Sequence, residues 1–148
     1  MGGQGRRAPG GADPRHRRPG PHGLSCVIGA REASAGRIIM VGRESDRHRL
    51  DVAARLGADN LLTGTTDEAM EQVAELTGGR LADVIVNAAD SSAALQTALR
   101  TAGDRSTPVQ VGLPNSGGGS AQPVLEALNS KVLTIRGVRG RPCRLTTS

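Results

Sequence analysis

The sequence predicts an α/β fold in which a doubly wound, mostly parallel sheet carries helices on both faces. Short continuous apolar runs such as RIIMVG and LADVIVNA are typical of strands that are buried on both sides. Longer segments with apolar residues at helical spacing lie between these runs. Strands that alternate with such helices form a parallel sheet through right-handed crossovers.

The predicted elements follow one another in regular order. Strands are predicted in RIIMVG, NLLT, LADVIVNA, PVQVGLP and VLTIRGV, and helices in LSCVIGAREASAG, SDRHRLDVAARLG, TTDEAMEQVAELTGG, SSAALQTALRTAG and PVLEALNS. Thr65 and Glu68 have the spacing of a capping box, and Ser45 is a second candidate cap. Gly36, Gly57 and the pair 78–79 are the predicted helix stops.

The core must be built from aliphatic side chains because the chain has no Phe, Tyr or Trp. Aromatic side chains usually dominate burial in a core, so we expect marginal stability. The inward stripes of the first four helices are predicted to be Leu24, Val27 and Ile28; Leu50, Ala53, Ala54 and Leu56; Met70, Val73, Ala74 and Leu76; and Leu95, Ala98, Leu99 and Ala102.

Charge separates the amino-terminal end from the rest of the chain. The 148 residues carry a net charge of +5, and residues 1–23 hold five Arg and one Asp. This end is rich in Gly and Pro and has no apolar run, so residues 1–19 are predicted to be disordered. Residues 20–141 form the predicted domain, and residues 142–148 form an irregular tail.

Cysteine and histidine give no sign of a metal centre. Cys26 and Cys143 are far apart in unlike contexts and are predicted to be free thiols. The three histidines, at positions 16, 22 and 48, are predicted to be solvated, and we expect no metal ligands in this chain. No apolar run is long enough for a membrane span, and no secretory signal is recognisable. A cytoplasmic location without membrane partners is therefore expected.

The candidate site follows from the fold class. In open parallel sheets, ligands bind beyond the carboxyl ends of the strands. The residues that follow predicted strands are Gly42 with Arg43, the range 87–91 and the range 112–114.

Several ordered stretches resemble one known family. They are GPHGL, RIIMVGRESDRHRLDVAARLGAD, TGGRLADVIVNAADSSAALQTALR, VQVGLP and LTIRGVRGR. Residues 20–140 are similar to the coenzyme-binding (Rossmann) domain of the medium-chain dehydrogenase/reductase family, in its zinc-dependent alcohol and polyol dehydrogenase branch. The resemblance implies a nicotinamide dinucleotide as partner and hydride transfer with an alcohol in the full-length family, in which a separate domain binds zinc.

The resemblance also implies roles for particular residues. The turn before the first helix would hold the pyrophosphate at a helix amino terminus, the end of RIIMVG would read the adenosine ribose, and the nicotinamide would lie along the strand PVQVGLP. The residues implied are Gly20, Pro21, His22 and Gly23; Gly42, Arg43 and Arg47; Ala88; and Val111, Gly112 and Leu113.

The residues at the end of RIIMVG predict which coenzyme the chain prefers. NAD-dependent members have an aspartate there, whereas this chain has Gly42 followed by Arg43, with Arg47 nearby. An arginine fork suits a 2′-phosphate, so NADP is favoured over NAD. The alternative is a solvated turn in which these arginines pair with Glu44 and Asp46.

The chain departs from the family before the glycine turn. The family has a hydrophobic central strand there, whereas residues 13–19 read DPRHRRP, which cannot enter a two-sided core. The first, central strand is therefore predicted to be missing or degraded, with RIIMV and DVIV left as open edges that can drive oligomerisation or aggregation. A second predicted departure from the family is that the strand PVQVGLP begins at Pro108.

Two functions remain open at this point, besides an interaction module that would use the exposed strand edges. The first is a fragment of a dehydrogenase, truncated or out of frame, that has no turnover alone. The second is a non-catalytic basic protein whose arginine-rich end makes weak, non-specific nucleic-acid contacts. Against the second, no aromatic residue is present to stack on a base.

Overall fold

The computed structural model describes residues 22–111 and 121–138, in which five helices alternate with five strands. The helices are α1 (His22–Glu32), α2 (Arg47–Leu56), α3 (Thr66–Leu76), α4 (Ser92–Thr101) and α5 (Gln122–Lys131). The strands are β1 (Ile39–Gly42), β2 (Asn60–Thr63), β3 (Ala82–Asn87), β4 (Ala102–Gln110) and β5 (Arg136–Gly137), and a 3₁₀ turn, Glu44–Asp46, precedes α2. The predicted α/β alternation is confirmed.

The strands form two parallel sheets rather than one. One sheet has the order β1-β2, with Gly42 opposite Thr63, and the other has the order β3-β4-β5, with Val86 opposite Val109. Within the described ranges no strand joins them, so β1 and β3 each have one unpaired edge. Residues 13–19, where the central strand is predicted to be missing or degraded, lie outside the described residues.

Each sheet has its own apolar cluster. Helices α1 and α2 pack together beside β1, and Val27, Ile38 and Ala53 form the buried centre of the first cluster. Helices α4 and α5 pack beside β4, where Leu99, Ala102 and Leu133 form the second. Both clusters are small and aliphatic, because the chain has no aromatic side chain to contribute.

Helices α3 and α4 connect the two halves. The hydroxyl oxygens of Thr66 and Thr97 lie 2.7 Å apart, and Arg100 forms an ion pair with Asp67. Packing between α3 and α4 is more extensive than any other helix–helix contact in the described part. The two halves are therefore joined through side-chain contacts. In a continuous sheet, backbone hydrogen bonds between strands would join them.

Two helix boundaries follow the sequence signals. Glu68 N donates to Thr65 Oγ1 at 3.3 Å, and Thr65 N donates to Glu68 Oε2 at 2.7 Å, which confirms the capping box. Gly57 follows α2 with φ of 114°, a backbone conformation that glycine adopts without strain. Ser91 caps α4 by accepting from Ala94 N at 3.2 Å.

Other local predictions are wrong. Helix α1 ends at Glu32 because Ser34, rather than Gly36, adopts the left-handed conformation, with φ of 59°. Ser45 lies inside the 3₁₀ turn and does not cap α2. Ile28 and Ala54 were predicted to face inward, but both are exposed.

Strand β4 also differs from its prediction. It begins at Ala102, and Pro108 lies inside it opposite Ile85. The pairing shifts from Ala102 opposite Ala82 to Thr107 opposite Val84, so extra residues of β4 bulge between these pairs. The register is recovered beyond the bulge, and Pro108 is held within the sheet despite its missing N–H.

Strand β3 is not buried on both faces. Ile85 packs into the second cluster under α4 and α5, whereas Val84 and Val86 are 63% and 42% exposed. The helices of this half cover only one side of β3, which is why the prediction fails on the other side. No helix in the described ranges is both long and apolar enough to span a membrane.

Candidate functional site

The carboxyl end of β1 brings together two of the predicted site residues. Gly42 ends the strand, and an added Cβ there would lie 3.2 Å from Leu50 Cδ2 on α2. A side chain at position 42 would therefore push against the helix, which explains the small residue in terms of packing. Arg43 follows directly and is exposed.

The turn after β1 is fixed by Asp46. Its amide N donates to Arg43 O at 2.8 Å, and Asp46 Oδ2 accepts from Arg43 N at 3.3 Å. The backbone of Arg43 is held, but its guanidinium has no ion-pair partner among the described residues. A cation of this kind at the end of a strand is suited to an anionic ligand.

Arg47 is placed differently from Arg43. Its Nε donates to Glu44 Oε1 at 2.7 Å, and its Nη2 contacts the same oxygen. Both side chains are mostly exposed. The Arg47 guanidinium, and next the Thr63 hydroxyl, lower the pKa of the Glu44 carboxyl. The alternative of a self-paired turn therefore describes Arg47 and Glu44, whereas Arg43 stays outside it.

The carboxyl end of β3 is organised by a buried amide. Asn87 Nδ2 donates to Gln110 Oε1 at 2.9 Å, and Asn87 Oδ1 accepts from Ala89 N at 3.3 Å. Val111 N donates to Asn87 O at 3.0 Å. These bonds fix the backbone around Ala88, which is half-buried. Asn87 can be recognised in the sequence as a polar residue at the end of an apolar strand. Its pairing with Gln110 has no local sequence signal.

The remaining predicted coenzyme residues are only partly described. His22 is the exposed first residue of α1, and a Cβ on Gly23 would lie 3.5 Å from Met40 Cε, which is ordinary contact. Space therefore does not require glycine at position 23. Four predicted positions lie outside the described residues: Gly20, Pro21, Gly112 and Leu113.

Within the described ranges, no three residues among His, Cys, Asp and Glu are grouped so that they could hold a metal ion. Burial raises the pKa of the Cys26 thiol, which disfavours the thiolate that zinc requires. His48 is exposed on α2. The described residues do not fit a zinc site, and no chemical step is assigned to zinc here.

Hollows in the surface lie beside the helices. One of about 210 Å³ lies between α2 and the end of β2 and is lined in part by Arg47, Asp51 and Thr63. Another of about 350 Å³ lies between α4 and α5. The first adjoins the charged turn after β1, which makes that end of the sheet the stronger candidate for ligand binding.

The fixed basic turn and the buried amide lie at the carboxyl ends of parallel strands, which is where open α/β sheets bind their ligands. Comparison with known proteins identifies the family. The profile of the family described as zinc-binding dehydrogenase matches residues 21–145, a range that includes part of the predicted tail. The chain therefore belongs to the zinc-binding dehydrogenase family.

Particular relatives support this assignment. The chain is 36% identical to an alcohol dehydrogenase of Cupriavidus necator over 81 residues, which is 55% of this chain and 22% of the relative. It is 34% identical to a sorbitol dehydrogenase of Bacillus subtilis over 96 residues, which is 65% of this chain and 27% of the relative. The chain thus spans about a quarter of these proteins.

A solved structure gives the same result. The structure of an alcohol dehydrogenase from Thermotoga maritima matches with a TM-score of 0.70 and 28% identity, covering 81% of this chain and 33% of that one. The Rossmann-like fold predicted from the resemblance is confirmed by this similarity.

Proposed function

We propose that this chain binds a nicotinamide dinucleotide as the coenzyme-binding part of an alcohol or polyol dehydrogenase. The observation that carries the proposal is the fixed turn after β1, where Arg43 is exposed and has no ion-pair partner in the described part of the chain. Membership of the zinc-binding dehydrogenase family supports it. Alone, the chain is proposed to have no turnover, and its cytoplasmic location stays a prediction.

The chain's own contribution is binding and orientation. Gly42 lets the strand end lie close to Leu50 on α2, and the next residue, Arg43, offers a planar cation to a 2′-phosphate. The Asn87–Gln110 pair holds the backbone after β3 in place. The bound coenzyme supplies the hydride acceptor in this family. These features favour NADP over NAD.

The proposal is tested by titrating the full chain with NADPH and NADH. Because the chain has no Tyr or Trp, fluorescence of the reduced nicotinamide can be followed without protein emission. We expect NADPH to bind more tightly than NADH, with a difference that shrinks at high salt because the contact is exposed. Arg43→Gln should remove most of this difference.

Arg55→Gln is the matched control. Arg55 is exposed in the last turn of α2, away from the strand end, and has no ion-pair partner among the described residues. It should leave both affinities unchanged. Absence of binding for both dinucleotides at millimolar concentration would refute the proposal, and equal affinities of wild type and Arg43→Gln for NADPH would refute the role of Arg43.

The second function, nucleic-acid contact, was predicted for the arginine-rich amino-terminal end. That end lies outside the described residues, and no observation in the described part favours it.

A further inference from the structure

We infer that Glu44 limits the preference for NADP by engaging the Arg47 guanidinium in an ion pair, so that Arg47 is not free to bind a 2′-phosphate, an inference that rests on the proposed coenzyme-binding function. Arg43 and Arg47 would otherwise form the two arms of a phosphate site. In the structure only Arg43 is available, because both nitrogen contacts of Arg47 go to a single oxygen of Glu44.

The position of Glu44 follows from the strand pairing. Thr63 ends β2 directly opposite Gly42, the last residue of β1. The Thr63 hydroxyl therefore lies beside the carboxylate of Glu44, two residues beyond Gly42, and it helps to keep the pKa of that carboxyl low. Glu44 is thus ionised at neutral pH, at the strand ends where the ribose is proposed to bind.

The charged side chains of the turn have opposite effects on the binding of NADP and NAD. A carboxylate repels a 2′-phosphate and accepts a hydrogen bond from a 2′-hydroxyl, whereas a guanidinium favours the phosphate. Asp46 is engaged with the Arg43 amide, and its other oxygen lies 3.5 Å from Arg49 Nη1. Glu44 is therefore the acidic group of the turn whose removal would release a second arginine.

The Glu44–Arg47 pair can open at modest cost. Its side chains are 65% and 69% exposed, and such pairs are weak and screened by salt. The effect on affinity should therefore be moderate. Glu44→Gln keeps the shape of the side chain and removes its charge. We expect it to tighten NADPH binding about two- to fivefold at low salt, without tightening NADH binding.

A double-mutant cycle separates release of Arg47 from simple loss of negative charge. In wild type, Arg47→Gln should change NADPH affinity little, because Arg47 is already held. In the Glu44→Gln background, the same change should remove most of the gain. Glu75→Gln is the control, since Glu75 is exposed near the far end of α3 and should alter neither affinity.

Each outcome decides a separate point. If wild type binds both coenzymes and Glu44→Gln behaves like Glu75→Gln, the inference is overturned and the proposed function stands. If the gain in NADPH affinity persists without Arg47, Glu44 acts through its own charge and the holding role is overturned. If no variant binds either dinucleotide, both proposals fall. Glu44→Ala, which removes the carboxylate without introducing an amide, should tighten NADPH binding at least as much as Glu44→Gln.

Discussion

The ammonium Nζ of Lys131 on α5 donates to the main-chain oxygen of Leu99 at 2.9 Å. It also reaches the oxygens of Arg100 at 3.1 Å and Ala102 at 2.8 Å. The last carbonyl groups of a helix have no partner within the helix, and a cation near them is favoured by the helix dipole. Lys131, the single lysine of the chain, therefore closes the end of α4.

Replacing Lys131 by methionine should lower the free energy of unfolding by about 1–2 kcal/mol, because three carbonyl contacts are lost from a half-buried position. Urea unfolding followed by far-ultraviolet circular dichroism measures the change. Arg55→Met removes an exposed cation from the last turn of α2 and should change stability little. Equal midpoints for the two variants would contradict the capping role.

Thr65→Ala should cost about 1 kcal/mol of stability because the amino end of α3 loses the side-chain acceptor for Glu68 N. Thermal unfolding of wild type and variant gives the difference. Thr65→Ser retains the hydroxyl and should restore most of the loss. If serine is as destabilising as alanine, the hydroxyl is not the cause.

Asp59 should make the stability of the chain sensitive to acid. Its Oδ2 accepts from Ile38 N at 2.7 Å and its Oδ1 from Arg31 at 2.9 Å, and these bonds lower the pKa of the carboxyl from its ordinary 3.8. Because the folded pKa is the lower one, the contribution is complete above 3.8 and is lost as the pH falls through the folded value.

The acid effect can be measured with Asp59→Asn. Unfolding free energies taken between about pH 6 and about pH 2 should fall less for the variant than for wild type. Glu71→Gln on α3 is the control and should keep the wild-type slope. Parallel profiles for wild type and Asp59→Asn would show that these two bonds do not favour the carboxylate.

The open edge of β3 should promote self-association. Val84 is 63% exposed on a strand that has one edge unpaired among the described residues, and a charge on such an edge opposes pairing with another chain. Val84→Lys should shift the chain toward monomer in size-exclusion chromatography with light scattering, and stability should change by less than about 0.5 kcal/mol. Leu125→Lys, at an exposed position on α5, should not alter the distribution.

Local signals in the sequence predicted those parts of the fold that depend on neighbouring residues. The capping box at Thr65 and the stop at Gly57 involve contacts within one helix turn, and both occur as predicted. The alternation of apolar runs with segments of helical spacing likewise predicted the order of helices and strands.

The sequence-based predictions were wrong where contacts between residues far apart in the sequence determine the structure. The exposure of Ile28 and Val84 depends on which helix covers which side of a strand, and hydrophobicity alone does not contain this information. The early start of β4 depends on pairing with β3 across a bulge.

For the candidate site, too, the sequence predicts positions along the chain but not contacts between side chains. The positions of Gly42 and Arg43 after β1 follow from strand order, and the structure agrees. The capture of Arg47 by Glu44 and the Asn87–Gln110 bond depend on side-chain geometry. The sequence pattern is compatible with either the presence or the absence of these two pairs, so it does not predict them.

The division into β1-β2 and β3-β4-β5 has a consequence for how the chain folds. The strands of each sheet follow one another along the chain, within residues 39–63 or 82–137, so each backbone ladder seen in the described ranges closes across a single strand–helix–strand unit. A Rossmann domain with its middle strand must instead pair its first strand with a fourth strand much further along the chain. Low contact order favours rapid folding. Each half should therefore assemble early, with docking of α3 against α4 as the late, slower event.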